Sequence, residues 1–105
     1  MVLNVVWTEA ALRDLESAAD HIARDSTRYA SVFVREAVAA ARSLNVLAKR
    51  GRVVPEIHDA NIRELFVCNH RLIYRIAPRT VYVIGFIHGS RDLWSLWKRQ
   101  RRPNH

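Results

Sequence analysis

One cysteine, three glycines and three prolines in 105 residues are the first things to weigh, because each scarcity removes a class of protein. A lone Cys68 excludes a disulfide framework, and one thiol among β-forming residues reads as a small buried hydrophobe. Three glycines leave no room for a glycine-rich phosphate loop or a dinucleotide fingerprint. No apolar run approaches the ~20 residues that a membrane-spanning helix needs. A basic stretch followed by an apolar run is likewise missing from the N-terminus, so no signal peptide is expected and the expected compartment is the cytoplasm. Five histidines are present, but His21, His58, His70 and His105 show no metal-ligand spacing with each other or with Cys68. Neither a metal nor any other cofactor is expected.

What is abundant is positive charge, and it is unevenly placed. The formal net charge is +7. Residues 1–48 hold 5 Lys/Arg against 6 Asp/Glu, residues 49–90 hold 7 against 3, and residues 91–105 hold 5 against 1. The first half is therefore near neutral, while the second half and the tail carry the field. Such a field raises encounter rates with nucleic acid or acidic protein and weakens with salt. A merely soluble basic protein would show the same total without the clustering.

At this length residues 1–105 form one expected domain, with a basic tail from about residue 94. The β-branched stretch Val2–Trp7 predicts a first strand. Thr8 is a plausible N-cap, and Leu12, Leu15, Ala18, Ala19 and Ile22 recur at helical spacing, which predicts a helix over about Glu9–Arg24. Asp25, Ser26 and Thr27 break it and offer new caps. A second helix is predicted over about Arg28–Ala48, with alanines small enough for close approach to the first. Gly51 ends the helical region, and Pro55 excludes a central strand nearby. Strands are predicted at about Ile62–Val67, Arg71–Ile76 and Val81–His88, joined by turns short enough for antiparallel hairpins. A short helix docking Trp94 and Trp97 closes the chain. The class is α+β: a strand, a helical hairpin, then a three-stranded meander.

Alternation in the second meander strand places Arg71, Ile73 and Arg75 on one face and Leu72, Tyr74 and Ile76 on the other. The second set suits the core, which leaves Arg71 and Arg75 on an open face. They would either form a ladder of phosphate contacts or pair with Glu64 and Glu56 as surface salt bridges. Glu56 beside arginines could act as a general base or simply neutralise them. His88, at a strand end, is the best acid–base candidate by residue type, against the commoner structural role of such a histidine. Arg52, Arg63, Arg71, Arg75 and Arg91 are expected to converge on one exposed surface that awaits an anionic counterpart.

The runs Gly51-Arg-Val-Val-Pro-Glu56, Ile62-Arg-Glu-Leu65, His70-Arg-Leu-Ile-Tyr-Arg-Ile76 and Ile87-His-Gly-Ser-Arg-Asp-Leu93, in this order and spacing, resemble the RelE/ParE superfamily of bacterial toxins. These are the toxins of type II toxin–antitoxin modules, often called plasmid stabilisation proteins. The resemblance covers nearly the whole chain. It implies a small sheet flanked by a helical hairpin, growth inhibition, and neutralisation by a cognate antitoxin whose C-terminal segment wraps the toxin in a hetero-oligomeric complex.

The superfamily is split by target. RelE-like and YoeB-like members cleave mRNA on the ribosome, whereas ParE-like members block DNA gyrase. Glu56 resembles the base of the YoeB-like branch, Arg71 its phosphate-binding arginine and His88 its histidine. The aromatic residue expected after that histidine is replaced by Gly89, and no RelE-type lysine pair stands on the matching loop. Gly89-Ser90-Arg91-Asp92-Leu93 looks more like ParE. The resemblance thus implies a gyrase-binding toxin, with an endoribonuclease using Glu56, Arg71 and His88 as the alternative. The antitoxin segment covering Arg63, Arg71, Arg75 and Arg91 is expected to be acidic, with an apolar part near Trp94 and Trp97.

Overall fold

The computed structural model describes residues 2–89. Strand β1 (Asn4–Trp7) leads into helix α1 (Glu9–Ala23) and helix α2 (Thr27–Arg42), followed by a 3-10 turn at Ser43–Asn45. Strands β2 (Arg52–Val53), β3 (Ile62–Val67), β4 (His70–Ile76) and β5 (Thr80–His88) complete one mixed sheet in the order β1-β5-β4-β3-β2.

Each helix starts where a side chain can satisfy an orphan backbone donor. The Ala11 amide donates to Thr8 Oγ1 at 3.2 Å, and the Tyr29 amide donates to Ser26 Oγ at 3.0 Å. Thr8 Oγ1 also donates to the Val83 carbonyl at 2.8 Å, which ties the start of α1 to β5. The helix α2 stops six residues short of the expected Ala48. There Ser43 Oγ bonds back to the Ala40 carbonyl at 2.6 Å, and the chain tightens into the 3-10 turn.

The helical hairpin covers one face of the sheet. Ala11 and Leu15 from α1, Phe33, Ala37 and Ala41 from α2, and Leu72, Tyr74, Val81, Val83 and Phe86 from the strands form its core. Full burial of a side chain such as Phe33 or Leu72 contributes about 1.5–3 kcal/mol. The alanines let the helices approach closely, as their positions predict.

Two features depart from the expected meander. The first strand joins it, pairing parallel with β5 from Asn4 opposite Thr80 to Trp7 opposite Val83. The two-residue β2 adds an edge, with Arg52 opposite Glu64, so the three-stranded meander becomes a five-stranded sheet. The expected C-terminal helix at Trp94 and Trp97 lies outside the described residues, as does Arg91.

The other face of the sheet is not open. Residues 54–61 fold over it and bury a second apolar cluster of Val54, Ile62 and Ile73, flanked by Ile57, Ile84 and Ile87. Between β4 and β5 the register slips: Ile73 pairs with Gly85, yet Tyr74 pairs with Val83, leaving Ile84 as an extra residue. This bulge turns the rest of β5 over, so that Phe86, rather than Gly85, enters the core under the helices.

Candidate functional site

Under the loop of residues 54–61 sits a four-membered ionic cluster. Glu64 on β3 is fully buried, and Arg71 on β4 is nearly so. Arg71 Nε donates to Glu64 Oε1 at 2.6 Å, with Nη2 of the same guanidinium 2.5 Å from that oxygen. Its Nη1 and Nη2 donate to Glu56 Oε2 and Oε1, both at 2.9 Å. Arg52 Nε closes the chain on Glu64 Oε2 at 2.5 Å. Two guanidinium groups meet two carboxylates, and the cluster is neutral.

The sequence forms it for local reasons. Register places Arg52 directly opposite Glu64, and outward alternation on β4 points Arg71 to the same face. Pro55 begins the turn that returns Glu56 over the sheet. There Ile57 and His58 amides donate to the Val54 carbonyl, both at 3.1 Å, and His58 adopts φ 58°. Val54 and Ile57 supply the apolar grip that holds the turn down.

The electrostatics follow from the geometry. Hydrogen bonding from Arg71 holds the Glu56 carboxyl below the usual carboxylate range. The same bonds from Glu56 raise the Arg71 guanidinium above its ordinary value. Glu56 is thus a charged anchor with both oxygens engaged, the opposite of a base poised near neutral pH. Arg71 has five N–H groups, and at least three are committed to carboxylates, which leaves little to offer a phosphate.

Placement of the expected site residues is mixed. Glu56 and Arg71 are brought together, but as a pair of a buried guanidinium and a half-buried carboxylate rather than on an exposed face. The expected pairing of Arg71 with Glu64 and Glu56 is present, and burial makes it more than a surface salt bridge. His88 stands elsewhere. The bulge directs it to the helix side of the sheet, opposite His70, their rings 5.3 Å apart in an edge arrangement. There it lines a cleft with Asp14, Ser17, His21 and His70.

Arg63 also leaves the expected surface, because its register partner Tyr74 faces the helices. Its Nε donates to the Ala60 carbonyl and its Nη1 to the Gly51 carbonyl, both at 2.9 Å. Arg75 is exposed, its guanidinium carbon 4.9 Å from the Tyr82 ring centroid. Arg52 is half-exposed, 5.2 Å from the centroid of Phe66. Convergence of five arginines on one exposed face is therefore corrected: among the described residues, Arg52 and Arg75 alone of the named set present guanidinium groups to solvent on that face.

Phe66 is the residue that reasoning on charge overlooks. It is 60% exposed on the outward face of β3. The signal was available: Ile62, Glu64 and Phe66 alternate with the inward Leu65 and Val67.

A family described as ParE toxin of type II toxin-antitoxin system, parDE, matches residues 5–93. The chain belongs to this ParE toxin family. A chain titled "Chromosomal ParDE TA system from P. aeruginosa" has the same fold as this ParE toxin, with a TM-score of 0.69 at 19% identity. The likeness covers 83% of this chain and 96% of that one. Among curated proteins none matches the sequence. The ParE toxin thus has an α+β fold of two helices on a mixed sheet, and no helix among its described residues is long and apolar enough to cross a membrane.

Proposed function

We propose that this ParE-family toxin inhibits growth by binding DNA gyrase, without hydrolytic chemistry of its own, and that a cognate antitoxin neutralises it in the cytoplasm. The observation that carries the reading is the closed ionic cluster. Glu56, which would serve as base, and Arg71, which would hold a phosphate, spend their donors and acceptors on each other and on Glu64. His88, which would protonate a leaving oxygen, lies across the sheet. General acid–base cleavage needs these groups within hydrogen-bond reach of one phosphodiester. A toxin that binds its target instead requires only a stable surface, and the cluster helps to hold that surface in place.

The same geometry revises the antitoxin footprint. Arg71 has little to contribute to an acidic segment, and Arg63 is engaged by backbone carbonyls. Arg52 and Arg75 are the cations the described face offers. Arg91, Trp94 and Trp97 complete the proposed contact set from the tail.

The test is gyrase supercoiling with purified toxin, run beside transcript cleavage in cells that express the chain alone. Inhibited supercoiling with intact transcripts is expected, and antitoxin should reverse it. Full gyrase activity at large toxin excess would overturn the reading. So would transcript cleavage that disappears in both Glu56→Gln and His88→Ala, which is the outcome the endoribonuclease alternative demands.

A further inference from the structure

His70 opens strand β4 and His88 closes strand β5, and the antiparallel register sets them directly opposite one another. Both imidazoles stand on the helix side of the sheet, their ring centres 5.3 Å apart. His88 is exposed, whereas His70 is half-buried and held on three sides. Its ring stacks on Phe86 and meets Phe33 edge-on, each at 5.1 Å between centroids. Its Nδ1 lies 3.1 Å from the Cys68 carbonyl oxygen. A carbonyl can only accept, so Nδ1 carries the proton of the neutral ring and Nε2 keeps its lone pair. A histidine that donates one ring nitrogen to a backbone carbonyl and keeps the other basic is oriented as metal ligands are.

We propose that His70 and His88 form a two-histidine chelate for a divalent metal ion of the zinc type. The ion takes Nε2 of His70 and one ring nitrogen of His88, and water fills its other positions. Two imidazoles on one tetrahedral zinc, each nitrogen about 2.1 Å from the ion, have ring centres about 5 Å apart. This pair already has that spacing, so the chelate asks for side-chain rotation, chiefly of the exposed His88. Among the described residues no group of three or more His, Cys, Asp or Glu could hold a metal ion. The site is therefore an open one, unlike the closed four-ligand sites of structural zinc.

Ligand type decides the class of ion. Neutral imidazoles suit zinc, copper and nickel, whereas magnesium and calcium require oxygen ligands. A cleft lined by Asp14, Ser17 and His21 opens beside the pair and gives the ion a way in. Because His70 begins one strand and His88 ends its neighbour, a bound ion pins the sheet where the chain leaves β5. The chelate stands across the sheet from the Glu56–Arg71 pair and does not depend on the gyrase reading.

The test is calorimetric titration of the untagged full chain with zinc chloride and with magnesium chloride, beside thermal melts with and without zinc. One zinc should bind per chain, in preference to magnesium, and should raise the melting temperature. His88→Ala and His70→Phe should each weaken zinc about tenfold or more, since even the partners of a metal ligand are worth that much. Each should also abolish the rise in melting temperature. Exposed His88 contributes little to packing, and His70→Phe keeps a ring between Phe33 and Phe86, so both variants should stay folded without metal. His58→Asn, on the loop over the opposite face, should bind zinc as the parent chain does. Parent-like zinc affinity in His88→Ala or in His70→Phe would overturn the chelate. An equal loss in His58→Asn would overturn it in favour of scattered single-histidine binding, and magnesium binding as tight as zinc would refute imidazole ligation.

Discussion

Arg71 and Glu56 meet face to face, two parallel hydrogen bonds of 2.9 Å joining strand β4 to the loop that crosses it. This pair fastens an irregular segment to the sheet, and Glu64 beneath it supplies the second anion that the buried guanidinium system requires. Breaking a buried pair strands a charge, whereas removing a partly exposed partner does less harm.

Glu64→Gln should accordingly be the most damaging single change in the cluster. It leaves Arg52 and Arg71 with one carboxylate between them, at a cost of about 3–5 kcal/mol. Glu56→Gln, nearer the surface, should cost about 1.5–3 kcal/mol. Urea denaturation of the two variants checks the order, and equal stabilities would contradict it.

The Glu56 contribution should also depend on pH. Its carboxyl lies lower in the folded chain than in the unfolded one. The stabilisation is therefore fully present above the unfolded value of roughly 4.3 and is lost as pH falls through the folded value. Melting temperatures of the parent and Glu56→Gln should differ at pH 7 and converge as pH falls through the lowered value of the folded carboxyl. A gap that stays constant through the acid range would show that the pair is not the cause.

Gly51 has a steric reason to be glycine. A Cβ there would come within 2.5 Å of the Glu64 carbonyl oxygen and 2.6 Å of the Tyr74 hydroxyl. That hydroxyl accepts from the Gly51 amide at 3.0 Å and donates to the Ala48 carbonyl at 2.6 Å. Gly51→Ala should destabilise by about 1–3 kcal/mol through overpacking. Tyr74→Phe should cost a similar amount, about 1–3 kcal/mol, by leaving a buried amide unpaired. Thermal melts of both variants are the measurement.

Cys68 should be a poor nucleophile. Its thiol donates to Glu36 Oε2 at 2.9 Å, and that bond, aided by burial, pushes its pKa up to about 11. At pH 8 the thiolate is about two orders of magnitude scarcer than for a free cysteine. Alkylation by iodoacetamide should be correspondingly slow, and Glu36→Gln should speed it severalfold. Reaction at the rate of free cysteine would contradict the assignment.

Much of this was legible from residue order. Thr8 and Ser26 announce the helix starts, the apolar periodicity gives both helical faces, and Asn69 marks the tight turn where Cys68 and Asn69 take φ of 49° and 66°. Three things were not. The two-residue β2 is too short for any pattern to show. Parallel pairing of β1 with β5 joins segments more than seventy residues apart, and nothing local encodes it. The bulge at Ile84 defeats strict alternation, which would have put His88 on the same face as Arg71. Only Gly85 hinted at it, since glycine inside a strand often marks such a slip.

That extra residue in β5 has a wider meaning. His88 is held apart from the joined pair of Glu56 and Arg71 by strand phase, not by substitution. In a fold this small, which residues a relative keeps says less about its chemistry than how many residues lie between them. Removing Ile84 alone would test how far one step of the chain separates two surfaces.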